Sequence, residues 1–251
     1  MMRKLPSVRR AVAAATLVFV LTFAATGGGA QDAVPEMPAA PPPGHSIVPR
    51  TEPLAPKSFS LEERYLDAAR RGDLKMLTLC LDKGADLRAK DGFGRSALLL
   101  AARDGHSLEM VKFLQARGLP LDDPDAAGRT ALADAAGNGD IEMVTYLLAQ
   151  GALVDRKDSR GQTPLYNAVL AGSKETAARL LAAGANANNR DLFQDTPLIG
   201  ACNKGFDELA RLLVDKGADP SLKDQEGRTA RERAAEGATF CRSLTDAKPG
   251  Q

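Results

Sequence analysis

The sequence predicts an all-α repeat solenoid, in which stacked helix–turn–helix units are joined by short hairpin connectors. The main observation is a glycine that recurs at steps of 34, 33, 33 and 33 residues, at Gly84, Gly118, Gly151, Gly184 and Gly217. Two further series keep the same steps: Asp91, Asp125, Asp158, Asp191 and Asp224, and the hydroxyl residues Ser96, Thr130, Thr163, Thr196 and Thr229. Such a period is typical of chains in which each unit buries its apolar face only against its neighbours.

The first helix of each unit is predicted to begin at the hydroxyl residue. Thr163 is placed to accept a backbone N–H bond as the N-cap, and Pro164 occupies the first helical position, where its missing donor costs nothing. Small residues follow, such as Ala135 and Ala136, and they let neighbouring helices approach closely. We expect a glycine to end this helix in each of four units, at Gly105, Gly139, Gly172 and Gly205.

The second helix of each unit carries apolar residues at helical spacing, as in Ile141, Val144, Leu147 and Leu148. It is predicted to end at the recurring glycine, where a left-handed residue terminates a helix at least cost. The connector that follows, such as residues 152–158, is too short for another helix and suits an extended hairpin arm. The predicted core contains ten leucines: Leu98, Leu132, Leu147, Leu148, Leu165, Leu180, Leu181, Leu198, Leu212 and Leu213.

These units resemble the ankyrin repeat. The runs Thr163-Pro164-Leu165 and Thr196-Pro197-Leu198 are each followed, about twenty residues later, by the Leu-Leu and Gly-Ala pairs of that family's motif. The resemblance covers roughly residues 60 to 240. Two departures are visible. Gln194 replaces a hairpin-turn glycine, and the family's histidine is replaced in four units by Leu99, Ala133, Tyr166 and Ile199.

The ends of the predicted repeat domain, residues 58–251, differ from its middle. Ser60 and Glu63 form a capping-box pattern at the start of an N-terminal cap. The last unit has a charged first helix around Arg231–Arg233 and only a weak second apolar set, which predicts a truncated C-terminal cap. The predicted units are a cap at 60–90, repeats at 91–124, 125–157, 158–190 and 191–223, and a cap at 224–245.

Residues 1–30 are predicted to be a signal peptide, because a basic start, a short apolar run and small residues follow one another. The protein is therefore expected to be exported to the periplasm of a bacterium, or secreted. The pair Arg9-Arg10 leaves the twin-arginine route open as an alternative. A rival interpretation keeps residues 11–30 as a membrane anchor, and a membrane is a partner only in that case.

Residues 31–57 hold eight of the fifteen prolines and are predicted to be a disordered linker. Removal of the four basic residues in 1–30 turns the formal charge of +1 into −3 for the mature chain. A nucleic-acid binder usually shows a strong basic excess, so nucleic acid is not an expected partner. We expect a monomer that binds a protein.

No catalytic or cofactor pattern stands out, so the sequence predicts neither an enzyme nor a metal site. The two histidines, His45 and His106, have no second ligand at zinc spacing. The carboxylates at residues 122–125 lack the ordered spacing of a calcium loop and are interpreted as a solvated turn.

The three cysteines allow one disulfide. Cys80 aligns with Leu147, an inward position, and is four units from Cys202, beyond disulfide reach. Cys202 and Cys241 lie in consecutive units, which permits a bond in an oxidising compartment. The alternative is that Cys202 simply fills a small-residue position of its helix.

The resemblance implies binding through the hairpin tips and the concave face formed by the first helices. Phe93 and Phe193 occupy the same tip position in different repeats, and large apolar groups are unexpected there unless each ring folds back over its hairpin. The candidate partner-binding residues are Phe93, Arg95, Arg103, Asp104, Arg129, Asp134, Arg160, Gln162, Tyr166, Asn167, Phe193, Asn203 and Lys204. The expected function is that of an exported adaptor or scaffold. The alternatives are a regulator of one periplasmic enzyme and a membrane-anchored spacer.

Overall fold

A computed structural model describes residues 59–245. The expected signal peptide, twin-arginine pair, membrane anchor and linker lie outside these residues. The described part contains eleven helices: α1 Leu61–Arg71, α2 Leu74–Asp82, α3 Ala97–Arg103, α4 Leu108–Ala116, α5 Ala131–Asn138, α6 Ile141–Ala149, α7 Pro164–Leu170, α8 Lys174–Ala182, α9 Pro197–Lys204, α10 Asp207–Asp215 and α11 Thr239–Ser243.

The helices stack in two rows, which confirms the predicted all-α solenoid. The first helices α1, α3, α5, α7 and α9 each pack on the next, and α6, α8 and α10 pack in a second row. The predicted N-caps are confirmed in four repeats. In each, the side chain of the hydroxyl residue accepts a bond from the backbone N–H three residues on, at Ser96, Thr130, Thr163 and Thr196. Ser60 and Glu63 form both bonds of the capping box at 3.1 and 2.8 Å.

The core lies between the two rows and is lined by leucines. Leu98, Leu132, Leu165 and Leu198 of the first helices and Leu147, Leu180 and Leu213 of the second helices are fully or almost fully buried. Leu148, Leu181 and Leu212 are only half-buried, because each stands beside the inward position of its helix and not on it. The prediction that these three leucines belong to the core therefore overestimates their burial.

The connectors are turns and not the expected extended arms. Among the described residues there is no strand, and the pairing of Lys90 with Ser96 is an isolated bridge. Each tip is nevertheless closed as a tight hairpin, since the N–H of Asp91 donates to the carbonyl of Arg95 at 3.1 Å, and the other four units repeat this bond.

The predicted glycine stop fails at Gly105. The backbone there is not left-handed, and the next residue, His106, has a φ of 43° instead. A Cβ at Gly105 would lie 3.0 Å from the carbonyl oxygen of Ala69. The glycine is therefore required by close packing against the end of α1 and not by its own φ.

The C-terminal cap lacks its predicted first helix. Residues 231–233 form one turn instead of a helix, closed by the N–H of Arg233, which donates to the carbonyl of Thr229 at 3.1 Å. The carboxylate of Asp207 accepts bonds from the N–H groups of Phe240 and Cys241 at 3.0 and 3.2 Å, which fixes the start of α11. Side-chain bonds from α10 therefore hold the short last helix.

Candidate functional site

The recurring aspartates build the hairpin tips. Oδ1 of Asp91 accepts bonds from the N–H groups of Phe93 and Arg95 at 2.9 and 3.0 Å. The same pair of bonds, to the residues two and four positions on, recurs at Asp125, Asp158, Asp191 and Asp224. The sequence reveals this aspartate only as a marker of the period, whereas the structure gives the reason for it.

The charged form of Asp91 is favoured by these bonds. Burial alone would raise the pKa of the Asp91 carboxyl, but the bonds from the Arg95 side chain and from the two backbone N–H groups lower it overall. The same balance lowers the pKa of Asp224, where burial is again outweighed by N–H donors. The tips of Asp91 and Asp224 are therefore held by ionised carboxylates at neutral pH.

Each tip is also bonded to the next one. The carbonyl of Phe93 accepts from the N–H of Ala126 at 2.9 Å, and the carbonyl of Phe193 accepts from the N–H of Gln225 at 2.9 Å. Equivalent bonds join Ala127 to Ser159 and Arg160 to Leu192. The tips therefore form one continuous row, and the side chains at their ends project from a fixed backbone.

Three of the grooves in residues 59–245 are lined by candidate binding residues, and the first is the Phe93 groove, with a volume of about 540 Å³. It is lined by Phe93, Arg95, Arg103, Asp125, Ala126, Ala127, Arg129 and Ser159. Phe93 is 68% exposed, so its ring does not fold back into the hairpin. The guanidinium of Arg95 lies 4.9 Å from the ring centroid and pairs with Asp91 at 2.6 Å.

The second groove, the Asp134 groove, adjoins the first and shares Arg103 and Arg129 with it. Its volume is about 400 Å³, and it is lined by Arg103, Arg129, Ala133, Asp134, Gly137, Asn138, Arg160, Gln162, Asn167, Leu170 and Ala171. Asp134 and Gln162, expected on an open surface, are each only 8% exposed. They are nearly buried because both lie between neighbouring repeats.

The third groove, the Phe193 groove, lies at the other end of the row of tips. It measures about 270 Å³ and is lined by Phe193, Asp195, Asp224, Gln225, Glu226 and Arg233. Phe193 is 61% exposed, and Leu192 beside it is 65% exposed. Arg233 lies 3.2 Å from Asp224 and 3.7 Å from Asp195, so it joins two of the three carboxylates.

Four expected site residues lie outside these grooves. Tyr166 is buried, because its ring packs over α9, where a Cβ at Gly200 would be 3.5 Å away. Its burial raises the pKa of the phenol above the usual range. Asn203 and Lys204 are exposed near the end of α9, and Asp104 pairs with Arg70 and Arg103, both at 3.5 Å.

Leu170 lines the Asp134 groove, although the sequence did not single it out. It is 36% exposed at the end of α7. The signal in the sequence is a leucine at a helix position where the other repeats have Arg103, Gly137 and Asn203. An apolar side chain there supplies contact area beside the charged groups of the groove.

The carboxylates of the acidic connector, residues 122–125, form bonds within the stack. Asp122 accepts from the N–H of Leu153 at 3.1 Å, Asp123 pairs with Lys90 at 2.7 Å, and Asp125 forms its tip bonds. No group of three or more ligating side chains suited to a metal occurs in residues 59–245. Each carboxylate of the run therefore has a structural role.

The cysteines differ in state. Cys202 on α9 and Cys241 on α11 are joined by a disulfide, with their Cα atoms 5.5 Å apart. Cys80 is free and buried in the core. The bond ties α11 to α9, the first helix of the preceding repeat.

A comparison with family models agrees with the stacked helix pairs and the aspartate-closed tips. A family model described as ankyrin repeats matches the chain three times, at residues 66–158, 122–191 and 165–249. The chain belongs to the ankyrin repeat family. Ankyrin repeats imply a protein-binding module, and proteins of this kind are typically non-catalytic. Comparison with curated proteins gives no match.

Asparagine side chains make polar bonds between repeats of this ankyrin stack, in which the family's histidine is absent. Nδ2 of Asn138 donates to the carbonyl of Arg103 at 2.9 Å, and Oδ1 of Asn188 accepts from the N–H of Asp219 at 2.8 Å. These bonds join neighbouring repeats. Among the described helices, none combines the length and the apolar character needed to cross a bilayer.

Proposed function

We propose that this protein is an exported adaptor that binds a protein partner through the Phe93 and Asp134 grooves, with the Phe193 groove as a second contact. The observation that carries the proposal is the exposed ring of Phe93. The backbone of this residue is held in place, because its N–H donates to Asp91 and its carbonyl accepts from Ala126. A large apolar group that is exposed at an ordered position and rimmed by charged residues is typical of a protein interaction site.

The neighbouring side chains support the same function. Aromatic residues and arginines are enriched at the centres of protein interfaces, where they contribute most of the binding energy. Arg95, Arg103 and Arg129 line the Phe93 groove together with its aromatic ring. Because the tip is already ordered, a partner would pay little conformational entropy for these contacts.

Export is supported by the sequence of residues 1–30 and by the Cys202–Cys241 disulfide, since such bonds persist in oxidising compartments. N-terminal sequencing of the protein from its native cells tests this part. We expect a mature chain that begins near residue 31 and has one free thiol after denaturation without reduction. An intact N terminus would favour the anchored spacer, and three free thiols would contradict export to an oxidising compartment.

The binding function is tested by cross-linked affinity purification from the native cells. Wild type is compared with a Phe93→Asp, Phe193→Asp double variant and with Leu153→Asp, a control at an exposed apolar connector residue outside the three grooves. Circular dichroism verifies that all variants fold. We expect a partner that wild type and the control retain and the double variant loses. Equal capture by all three would contradict binding at the tips, and no capture would contradict the adaptor function.

A further inference from the structure

The row of tips has an unfilled position at its N-terminal end. In four repeats, the N–H of the residue after the tip aspartate donates to a carbonyl of the preceding tip, at Ala126, Ser159, Leu192 and Gln225. In the first repeat the equivalent residue is Gly92, whose N–H donates no hydrogen bond within residues 59–245. The described row therefore begins with a free donor, at the place where a preceding tip would supply a carbonyl.

A fourth groove adjoins this donor. The N-terminal groove has a volume of about 410 Å³ and is lined by residues of α1 and of the first tip, among them Phe59, Leu66 and Gly92. Leu66 is buried, but the ring of Phe59 is exposed. An apolar residue just before a helix N-cap often packs on the fourth helical residue, which here is Arg64, so the ring has no apolar partner there.

The described chain begins at this groove, since Phe59 is its first residue and lines it. Residues 53–58 come directly before it in the sequence. Six residues of extended chain span up to about 20 Å, which exceeds the length of about 16 Å of the eleven-residue helix α1. Every part of the groove is therefore within reach of this segment.

The chemistry of residues 53–58 matches the groove. Leu54 is its one large apolar side chain, and its two prolines have no N–H, so the segment brings more backbone acceptors than donors. Glu62 is the lining carboxylate that has neither an ion pair nor a hydrogen bond within residues 59–245. Lys57 is the only charged residue of the segment and has the opposite sign.

A second copy of the stack is a poor occupant of this end. Arg64 is exposed on α1, at a position where the other first helices have small or cyclic residues, all buried: Ala97, Ala131, Pro164 and Pro197. A long charged side chain there opposes the close packing of another repeat. A covalently attached segment also has an effective concentration in about the millimolar range, which favours it over a separate molecule.

We infer that residues 53–58 bind in the N-terminal groove. A carbonyl of the segment accepts from the N–H of Gly92, Leu54 covers the ring of Phe59, and Lys57 pairs with Glu62. The segment takes the place of a preceding tip and extends the row of tips by one position, next to Phe93. The predicted linker then ends before residue 53.

Limited trypsin digestion of the mature, disulfide-bonded protein tests the inference. Cleavage after Lys57 reports on the segment, and cleavage after Arg50 is the internal reference, because both residues follow a proline. Gly92→Pro removes the N–H and suits the second position of the turn in which the N–H of Gly94 donates to the carbonyl of Asp91. Gly92→Ala keeps the N–H and is the matched control.

We expect wild type and Gly92→Ala to be cut about tenfold more slowly after Lys57 than after Arg50, and Gly92→Pro to lose this protection. Circular dichroism verifies that both variants fold. Equal cleavage at the two sites in wild type, or protection that persists in Gly92→Pro, would overturn the inference. Protection that disappears on dilution would assign the groove to a second copy and would overturn residues 53–58 as its occupant.

Hydrogen exchange of the Gly92 amide, measured by NMR, tests the apolar contact. Leu54→Asp places a carboxylate against the ring of Phe59 and near Glu62, and we expect the protection of this amide to fall about tenfold. Ala55→Asp is the control, because successive side chains of an extended chain point to opposite sides, and it should change protection by less than about twofold. An unprotected Gly92 amide in wild type, or equal effects of the two variants, would overturn the inference.

Discussion

The Phe93 and Phe193 grooves have the same backbone plan and opposite charge. Each has a phenylalanine two residues after the tip aspartate, and each tip carbonyl accepts a bond from the next repeat. The Phe93 groove is lined by three arginines and one carboxylate, whereas the Phe193 groove is lined by three carboxylates and one arginine. Repeat proteins can thus alter the chemistry of a groove without altering the fold that positions it.

A few side chains make this difference. The residue four positions after the tip aspartate is Arg95 in one repeat and Asp195 in the other, and the residue before it is Gly94 or Gln194. The positive groove stands among four complete repeats, whereas the negative one borders the short C-terminal cap. The two grooves should therefore differ in stability as well as in charge.

The largest expected difference comes from the disulfide. The bond spans 39 residues, and the loss of such a loop constraint costs about 4 kcal/mol in the chain-entropy model. With Cys202→Ala, Cys241→Ala, we expect hydrogen exchange to accelerate around the Phe193 groove, while the Phe93 groove keeps its protection. Cys80→Ala is the single-cysteine control. Equal loss of protection in both grooves would show that the stack unfolds as one unit.

Loss of the Arg233 side chain in the Phe193 groove should lower the free energy of unfolding more than loss of Arg103 in the Phe93 groove. Arg233→Ala leaves Asp195 and Asp224 without their shared cation, and we expect a loss of about 2 kcal/mol in the free energy of unfolding. Arg103→Ala removes a partly exposed group 3.5 Å from its carboxylate and should cost less than about 0.5 kcal/mol. Urea denaturation measures both values. Similar costs would contradict the assigned roles.

The Phe93 and Phe193 tips differ at one equivalent position, which holds Gly94 in the first and Gln194 in the second, and each residue can be replaced by the other. Gln194 has a φ of 60°, whereas Gly94 has a φ of 73° at the equivalent place. Because a side chain in the left-handed region costs about 1 kcal/mol, Gln194→Gly should stabilise the protein by that amount. Gly94→Gln should destabilise it by more, since a Cβ there would lie 3.0 Å from the nitrogen of Ala126. Thermal unfolding measures both. A loss of stability on Gln194→Gly would contradict strain at that tip.

Asp134→Asn should raise the free energy of unfolding at neutral pH. Burial raises the pKa of the Asp134 carboxyl, although Arg129 and Arg103 oppose the shift. An acid with a raised pKa favours the folded state when protonated, so the ionised group lowers stability at neutral pH. We expect the variant to gain about 1 kcal/mol at pH 7.

This gain should shrink as the pH falls through the raised pKa and approach zero below the ordinary aspartate value of 3.8, where wild type is also neutral. Urea denaturation between pH 3 and pH 7 measures it, with Asp123→Asn as the control. A constant difference across this range would show that the charge of Asp134 is not its cause.

The sequence predicted the repeat fold because the period, caps and leucine pattern are local and recur in several copies. It could not predict that Asp134, Gln162 and Tyr166 are buried, since their exposure depends on the neighbouring repeat that covers them. The wrong prediction of a helix at residues 231–233 in the C-terminal cap has the same cause, dependence on a neighbouring repeat. Residues 231–233 have helix-forming side chains, yet within residues 59–245 no further repeat packs against them.

The central claim is that a partner contacts the row of tips, and above all the Phe93 groove. Site-specific photo-cross-linking in the native cells tests it, with a photoreactive phenylalanine analogue placed singly at positions 93, 193 and 153. Leu153 is an exposed connector residue outside the three grooves and serves as the control. We expect a cross-linked partner from position 93, a weaker product from 193 and none from 153. A product from position 153 alone, or equal products from all three, would contradict the claim.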